Sequence, residues 1–465
     1  MGVADVHLIG IGGSGLSAIA RLLLESGYTV SGSDRQTSEV LDRLAEAGAQ
    51  VYIGHRPENI TGAKLIVRSS AIPDQNVEVQ AAQKAGITVM KRAEFLGQFM
   101  EGRAGIAVAG THGKTTTTAM IAWMLSALGE DPSYIIGSDA RNLGTNARAG
   151  KGRAFIIEAD EYDRMFLGLK PEIAVITNVE FDHPDYYLTE DDYFMSFAEF
   201  VSNVKQGGRL LACGDDMGAT RLVEVARNRS VEALTYGICD PSLDYYAYGM
   251  VNNPVGGLTF DVVVKGNTDQ TLRMALQVPG EHNVRNSLAA LAVADGLGLP
   301  LDEAVRALAV FRGTDRRFEV LGEVAGITVI DDYAHHPTEI RATLSAARSR
   351  YPGRQLWVVW QPHTYSRTRA LFADFASAFI EANHVVVTEV YAAREPVTAE
   401  FSALQVVEAM QHLDAYFIPD LTQTTAFLLT HLDEGDVLLV LSAGDANQVS
   451  AQVLAGLQTR EEADV

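Results

Sequence analysis

Cysteine is nearly absent: Cys213 and Cys239 are the only two in 465 residues. Two thiols cannot build a disulfide framework, and their spacing carries no metal-ligand pattern, so a reducing, cytoplasmic compartment is expected. Also missing is any run of about 18 apolar residues, and the N-terminus enters an apolar strand without a basic region or cleavage site. Neither membrane insertion nor secretion is expected. Basic residues are few, 37 Lys and Arg against 59 Asp and Glu, for a net charge of −22. Nonspecific nucleic-acid binding depends on a basic surface that neutralises phosphates, so no nucleic acid is expected as a partner. Any anionic ligand must be held by local devices. No low-complexity segment stands out beyond a short acidic tail at 461–465.

What is present suits a large globular enzyme. Hydrophobic residues make up 47% and charged residues 21% of the chain, and its length predicts two to four domains. Over the first hundred residues, short β-branched runs at 6–10, 28–33 and 65–69 alternate with amphipathic stretches at 15–26, 38–47 and 77–85. This alternation predicts a parallel, doubly wound α/β sheet. The pattern restarts near 101–105, with strands at 105–109, 154–158 and 173–177 and a helix at 115–128. Between 231 and 278 it becomes short and period-two, with turn signals at Gly256-Gly257 and Gly266-Asn267, which predicts an antiparallel annex. Helices at 283–296 and 301–311 follow, and a third restart places strands at 327–331, 355–360, 384–388 and 437–441. Three α/β domains result, 1–103, 104–315 and 316–465.

Gly10-Ile11-Gly12-Gly13-Ser14-Gly15 lies between the first strand and first helix, the glycine pattern that lets a pyrophosphate approach a helix N-terminus. Asp34 ends the second strand, where a carboxylate can accept ribose hydroxyls. A plain strand–helix turn would use the same glycines.

Gly110-Thr111-His112-Gly113-Lys114-Thr115-Thr116 supplies the parts of a triphosphate cradle: backbone N–H groups, a lysine for the β- and γ-phosphates and a hydroxyl for Mg²⁺. Its glycines enclose two residues where the common phosphate loop has four. Glu158 and Asp182-His183 stand at or after the next strand ends, facing the same crevice, where oxygen and imidazole groups can complete a divalent-metal site. Gly280-Glu281-His282-Asn283-Val284-Arg285-Asn286 opens a helix with groups able to meet a base edge. Asp331-Asp332-Tyr333-Ala334-His335-His336-Pro337 and the run from Gln361 to Arg369 end two strands of the last domain, suggesting a second half-site.

Taken together, these segments resemble the Mur ligase family, ATP-dependent amide ligases of peptidoglycan precursor synthesis. The resemblance covers essentially the whole chain through Gly10–Gly15, Gly110–Thr116, Glu-Ala-Asp-Glu at 158–161, Thr-Asn-Val-Glu at 177–180 with His183, Gly-Glu-His-Asn at 280–283, Arg-Arg-Phe at 316–318 and Asp-Asp-Tyr-Ala-His-His-Pro-Thr-Glu at 331–339. The last of these is the most specific to the alanine-adding member. The resemblance implies a Rossmann-like N-terminal domain holding the UDP portion of UDP-N-acetylmuramate through Gly10, Gly12, Gly13, Ser14, Gly15, Asp34, Ser69 and Ser70. It implies a central domain holding ATP through Gly110, Thr111, His112, Gly113, Lys114, Thr115 and Thr116, with His282, Asn283 and Asn286 on the adenine side. Arg317 and Asp332 reach ATP from across the cleft, and Thr115, Glu158 and His183 hold Mg²⁺. L-alanine falls to a Rossmann-like C-terminal domain, on Tyr333, His335 and Arg367. Lys114, Glu158, His183 and His335 are the catalytic candidates, His335 as the base. Many relatives carry arginine where this chain has Thr364, so the amino acid's carboxylate is expected to rest mainly on Arg367 and on a more distant donor, with Arg369 or Arg394 as the alternative. Gly10–Gly15 with Asp34 alone would also suit a nicotinamide-dependent oxidoreductase. A sibling murein peptide ligase and an ATP-gated UDP-sugar sensor are further alternatives.

Overall fold

The computed structural model describes residues 5–265 and 271–463, without the side chains of Ser14 and Ala463. Its strands form three sheets. The first has five parallel strands in the order Gln50–Ile53, Val30–Asp34, Val6–Ile9, Leu65–Arg68, Thr88–Lys91. Its chain reversal between the central strands leaves the glycine loop at their carboxyl ends, where ligands of open α/β sheets collect.

Ten strands form the second sheet, with Ala104–Ala109 flanked by Ala154–Glu158 and Ile173–Ile176, all three parallel. Every residue of Ala104–Ala109 is buried, as expected of a strand covered by helices on both faces. The expected antiparallel annex is corrected here. Glu232–Ile238 pairs parallel with both Arg209–Cys213 and Tyr245–Asn252, and antiparallel pairing begins only with Leu258–Val264 and Thr271–Ala275. These strands extend the main sheet. Period-two alternation looks alike for both pairing senses, which is why the sequence misled. The turn at Gly256-Gly257 is present between Tyr245–Asn252 and Leu258–Val264; Gly266-Asn267 lies outside the described residues.

In the third sheet, Ile327–Asp332, Val437–Ser442, Leu356–Gln361, His384–Val387 and Ala415–Phe417 run parallel, and Glu319–Val324 adds an antiparallel edge. Of the acidic segment, Glu461 and Glu462 are exposed and continue the last helix, Asn447–Ala463, carried by residues of good helix propensity.

Candidate functional site

The phosphate loop has a backbone reason for each glycine. Gly110 passes so close to Thr177 that a Cβ would lie 2.0 Å from its Oγ1. Gly113 takes φ 79° at the N-cap of helix Lys114–Ala127, in the left-handed region. Lys114 Nζ donates to the carbonyls of Gly110 at 2.7 Å and Thr111 at 3.0 Å, and meets Glu161 at 2.9 Å. Burial opposes the ammonium charge, but Glu161, Asp160 and Glu158 outweigh it and raise the lysine above its ordinary pKa. Thr115 Oγ1 donates to Glu158 at 3.0 Å, and the Gly137 N–H donates to the same carboxylate at 2.7 Å. Burial raises Glu158.

His183 sits at φ 56° with Nε2 3.5 Å from Glu161, and its buried Nδ1 has no hydrogen-bond partner. It therefore stands with Glu161 and not with the Thr115–Glu158 pair. Among the described residues, the one set of three metal-ligating groups with donor atoms within 4.8 Å is His112, Glu180 and His336.

Two cavities meet at this loop. The smaller, about 250 Å³, is lined by His112, Gly113, Thr115, Thr116, His282, Asn283, Asn286, Arg317 and Asp332, so the expected nucleotide residues converge from two sheets. Burial lowers His282 to about 4 and raises Asp332 to about 6. The larger, about 720 Å³, runs from Gly15 and Arg92 past Lys114, Glu158 and His183 to Tyr333, His335, His363, Arg367 and Arg394. His335 Nδ1 faces the Tyr333 carbonyl at 2.9 Å, which makes Nδ1 the donor and leaves Nε2 as an acceptor. Burial lowers this ring to about 4, so it is neutral near pH 7.

Gly12, Asp34 and Ser69 gather at the carboxyl ends of the three central strands of the first sheet: the Gly12 N–H donates to Asp34 at 2.9 Å, and Gly10 abuts Ser69. Ser70 is exposed beside them. Of the glycine loop, Gly15 reaches the larger cavity. The side chain expected at Ser14 lies outside the described residues.

Arg367 is engaged within the protein. It is 3% exposed, Nε donates to Asp182 at 2.7 Å, Nη2 to the same carboxylate at 3.2 Å, and Nη1 meets His363 at 3.0 Å. Both edges of the fork are engaged by protein groups, although the residue still lines the larger cavity. Arg394 donates from Nε and Nη2 to Asp185 at 2.8 and 2.5 Å and, at 42% exposed, is the more exposed of the two arginines on this cavity.

Sequence reasoning also missed Glu161, Glu180 and Glu339, although all three lay in the quoted motifs. Glu339 caps helix Pro337–Arg350 by accepting the His335 and His336 N–H groups, with Pro337 at the first helical position. His112 Nε2 lies 3.0 Å from Glu180 and Nδ1 3.3 Å from Glu339. Burial opposes the charge, yet the two carboxylates push His112 up to about 9. A folded pKa above the ordinary 6.5 means the contact stabilises fully below about 6.5 and is lost as pH rises through about 9. Thermal unfolding followed across that window should show a falling midpoint in the wild type and a flatter profile in His112→Asn; identical profiles would contradict the pairing.

Three family models match: "Mur ligase family, catalytic domain" over residues 5–104, "Mur ligase middle domain" over 108–294 and "Mur ligase, glutamate ligase domain" over 316–444. A UDP-N-acetylmuramate–L-alanine ligase of Roseiflexus sp. is 44% identical, across 97% of this chain and 99% of its own length. That of Caldanaerobacter subterraneus is 41% identical over 97% of each. Among solved structures, UDP-N-acetylmuramate-alanine ligase from Thermotoga maritima superposes with TM-score 0.81 at 29% identity, covering 98% of this chain and 100% of that one. A murein peptide ligase from Psychrobacter arcticus gives TM-score 0.71 at 26% identity, covering 98% of both.

Proposed function

Since this chain belongs to the Mur ligase family, whose members are ATP-dependent amide ligases, we propose that it joins L-alanine to the carboxylate of UDP-N-acetylmuramate in peptidoglycan precursor synthesis. The observation that carries this reading is the pair of joined cavities, because Lys114 and Glu158 stand between the glycine loop and the cluster at Tyr333, His335 and Arg394. Each proposed domain, 1–103, 104–315 and 316–465, then brings one substrate: the UDP-sugar, ATP and the amino acid. No described helix is long and apolar enough to cross a membrane. A cytoplasmic location agrees with two free cysteines, one of them exposed.

An amide cannot form from a carboxylate at neutral pH without a better leaving group than oxide. The muramate carboxylate attacks the γ-phosphorus of ATP in line, forming an acyl phosphate and expelling ADP. Lys114 holds positive charge against the transferring phosphoryl oxygens. Alanine reacts as its free amine, which attacks the acyl carbon; His335 Nε2, an open acceptor on the same cavity, orients an amine N–H without keeping the proton, since burial lowers this ring to about 4. The tetrahedral intermediate collapses to the amide and inorganic phosphate. Arg394, not the more buried Arg367, meets the alanine carboxylate. Docking of the C-terminal domain keeps water from the acyl phosphate.

The donors fit Mg²⁺ at two separate places: the Thr115 hydroxyl and Glu158 carboxylate are hard oxygen ligands, and apart from them His183, beside Glu161, offers a buried nitrogen without a partner. When bound, the ion would screen the phosphate charges. His183→Ala should raise the Mg²⁺ concentration needed for half-maximal activity, roughly 10- to 100-fold if the ring is a ligand or supports one. An unchanged magnesium titration removes His183 from the metal site.

The acyl-phosphate route is tested with oxygen-18 in the muramate carboxylate. One labelled oxygen should leave in the released phosphate; unlabelled phosphate would eliminate this route.

A further inference from the structure

His112 belongs to the phosphate loop, yet its ring contacts face the other domain. Nε2 lies 3.0 Å from Glu180 in its own domain, and Nδ1 lies 3.3 Å from Glu339 on helix Pro337–Arg350. Carboxylates beside both nitrogens require a ring that donates from both. The same helix is tied down again: Thr338 Oγ1 donates to Glu180 at 2.7 Å, and the His336 ring stands 4.6 Å from that of His112. Glu339 also receives Arg317 Nη1 at 3.3 Å, and Arg317 lines the nucleotide cavity. A chain of contacts therefore runs from the phosphate loop through Glu339 to the arginine over the nucleotide, and it closes only when the C-terminal domain is docked.

We propose that His112 is a positioning residue that couples docking of the C-terminal domain to the geometry of the phosphate loop, with Glu339 as its partner across the cleft. This rests on the ligase reading and deepens it. The loop backbone at His112 is held in register by Asn178, whose side-chain Oδ1 accepts the His112 N–H at 2.8 Å, and by Thr177, whose hydroxyl donates to the His112 carbonyl at 2.5 Å. A pull on the ring is thereby passed to the segment that carries Lys114. The charge His112 keeps near neutral pH agrees with this role. The chemical benefit is timing: an acyl phosphate formed before the amino-acid site is assembled would be lost to water.

The test is a double-mutant cycle on the full chain with His112→Asn, Glu339→Gln and both together. Steady-state constants are measured for each substrate, along with phosphate released per amide formed. Each single variant should lower kcat roughly 10- to 100-fold, as expected of a small misplacement near the reacting groups. Each should also release more phosphate than amide and keep the wild-type KM for UDP-N-acetylmuramate, which binds on the other side of Lys114. The double variant should be no worse than the poorer single one. Thr338→Val, which cuts the second tie from the same helix, should also raise the phosphate-to-amide ratio and serves if Glu339→Gln weakens the helix cap. Folded variants with wild-type kcat and a ratio of one, or single losses that multiply in the double variant, would overturn the coupling. A wild-type enzyme that forms no amide from these substrates would overturn the ligase reading, and this inference with it.

Discussion

Lys114→Ala should abolish ligation while the protein stays folded. The ammonium is 14% exposed and held by two loop carbonyls and Glu161, so its direction is fixed before a triphosphate arrives. Burial alone would favour the neutral amine, but the three nearby carboxylates keep it charged. Positioned charges of this kind are typically worth roughly 10²–10³ in rate. The effect should fall on kcat, because negative charge shifts toward the leaving ADP only in the transition state. Loss of the lysine also leaves Glu161 buried without its main counter-charge, with only His183 beside it. Lys114→Ala with Glu161→Gln should therefore recover stability but not activity, and unfolding curves collected beside the kinetics separate the two effects. A kcat loss under about tenfold would contradict the role given to Lys114.

Arg367→Ala should be the most damaging substitution for stability. Arg367 and Asp182, 3% and 4% exposed, are separated by 185 residues in sequence and join the central and C-terminal domains. Truncating the arginine strands a buried carboxylate whose ionised form depends on that guanidinium. Breaking such a pair costs about 3–5 kcal/mol, whereas replacing both partners with uncharged groups of similar volume is often neutral. Asp182→Asn with Arg367→Met should accordingly unfold nearer the wild-type denaturant midpoint than Arg367→Ala does. Arg394→Ala should instead raise the KM for alanine and leave the midpoint unchanged. A loss below about 1 kcal/mol in Arg367→Ala would show that the pair is solvated in solution and return Arg367 to the amino-acid site.

The contrast between these residues shows what the sequence could carry. Gly110, Gly113, Lys114 and Thr115 were legible because their spacing along one strand–loop–helix unit dictates backbone geometry directly. The place of Asp34 at the end of the second strand was legible for the same reason, and there its carboxylate accepts the Gly12 N–H. The partners of Arg367 and His112 were not legible, since which carboxylate faces them is decided by how two sheets dock. Glu339 illustrates the mixture: its place after Pro337 marks a helix start, yet its other oxygen serves His112 and Arg317 across a domain boundary. Short edge strands such as Gln50–Ile53 and Thr88–Lys91 escaped because four half-exposed residues give no clear period. The strand–helix alternation was sufficient to separate three α/β units, but the pairing sense of Glu232–Ile238 went astray and further strands such as Ser133–Ala140, Thr145–Arg148 and Glu319–Val324 were not read.

The central claim is the identity of the two substrates joined at the larger cavity. It is tested most directly by phosphate release from ATP and Mg²⁺ with UDP-N-acetylmuramate, offered L-alanine, other amino acids or the murein tripeptide in turn. The account predicts sustained release, matched by amide, only when UDP-N-acetylmuramate and L-alanine are both present. Equal release with the tripeptide or with any amino acid, or release that ignores the second substrate, would contradict it.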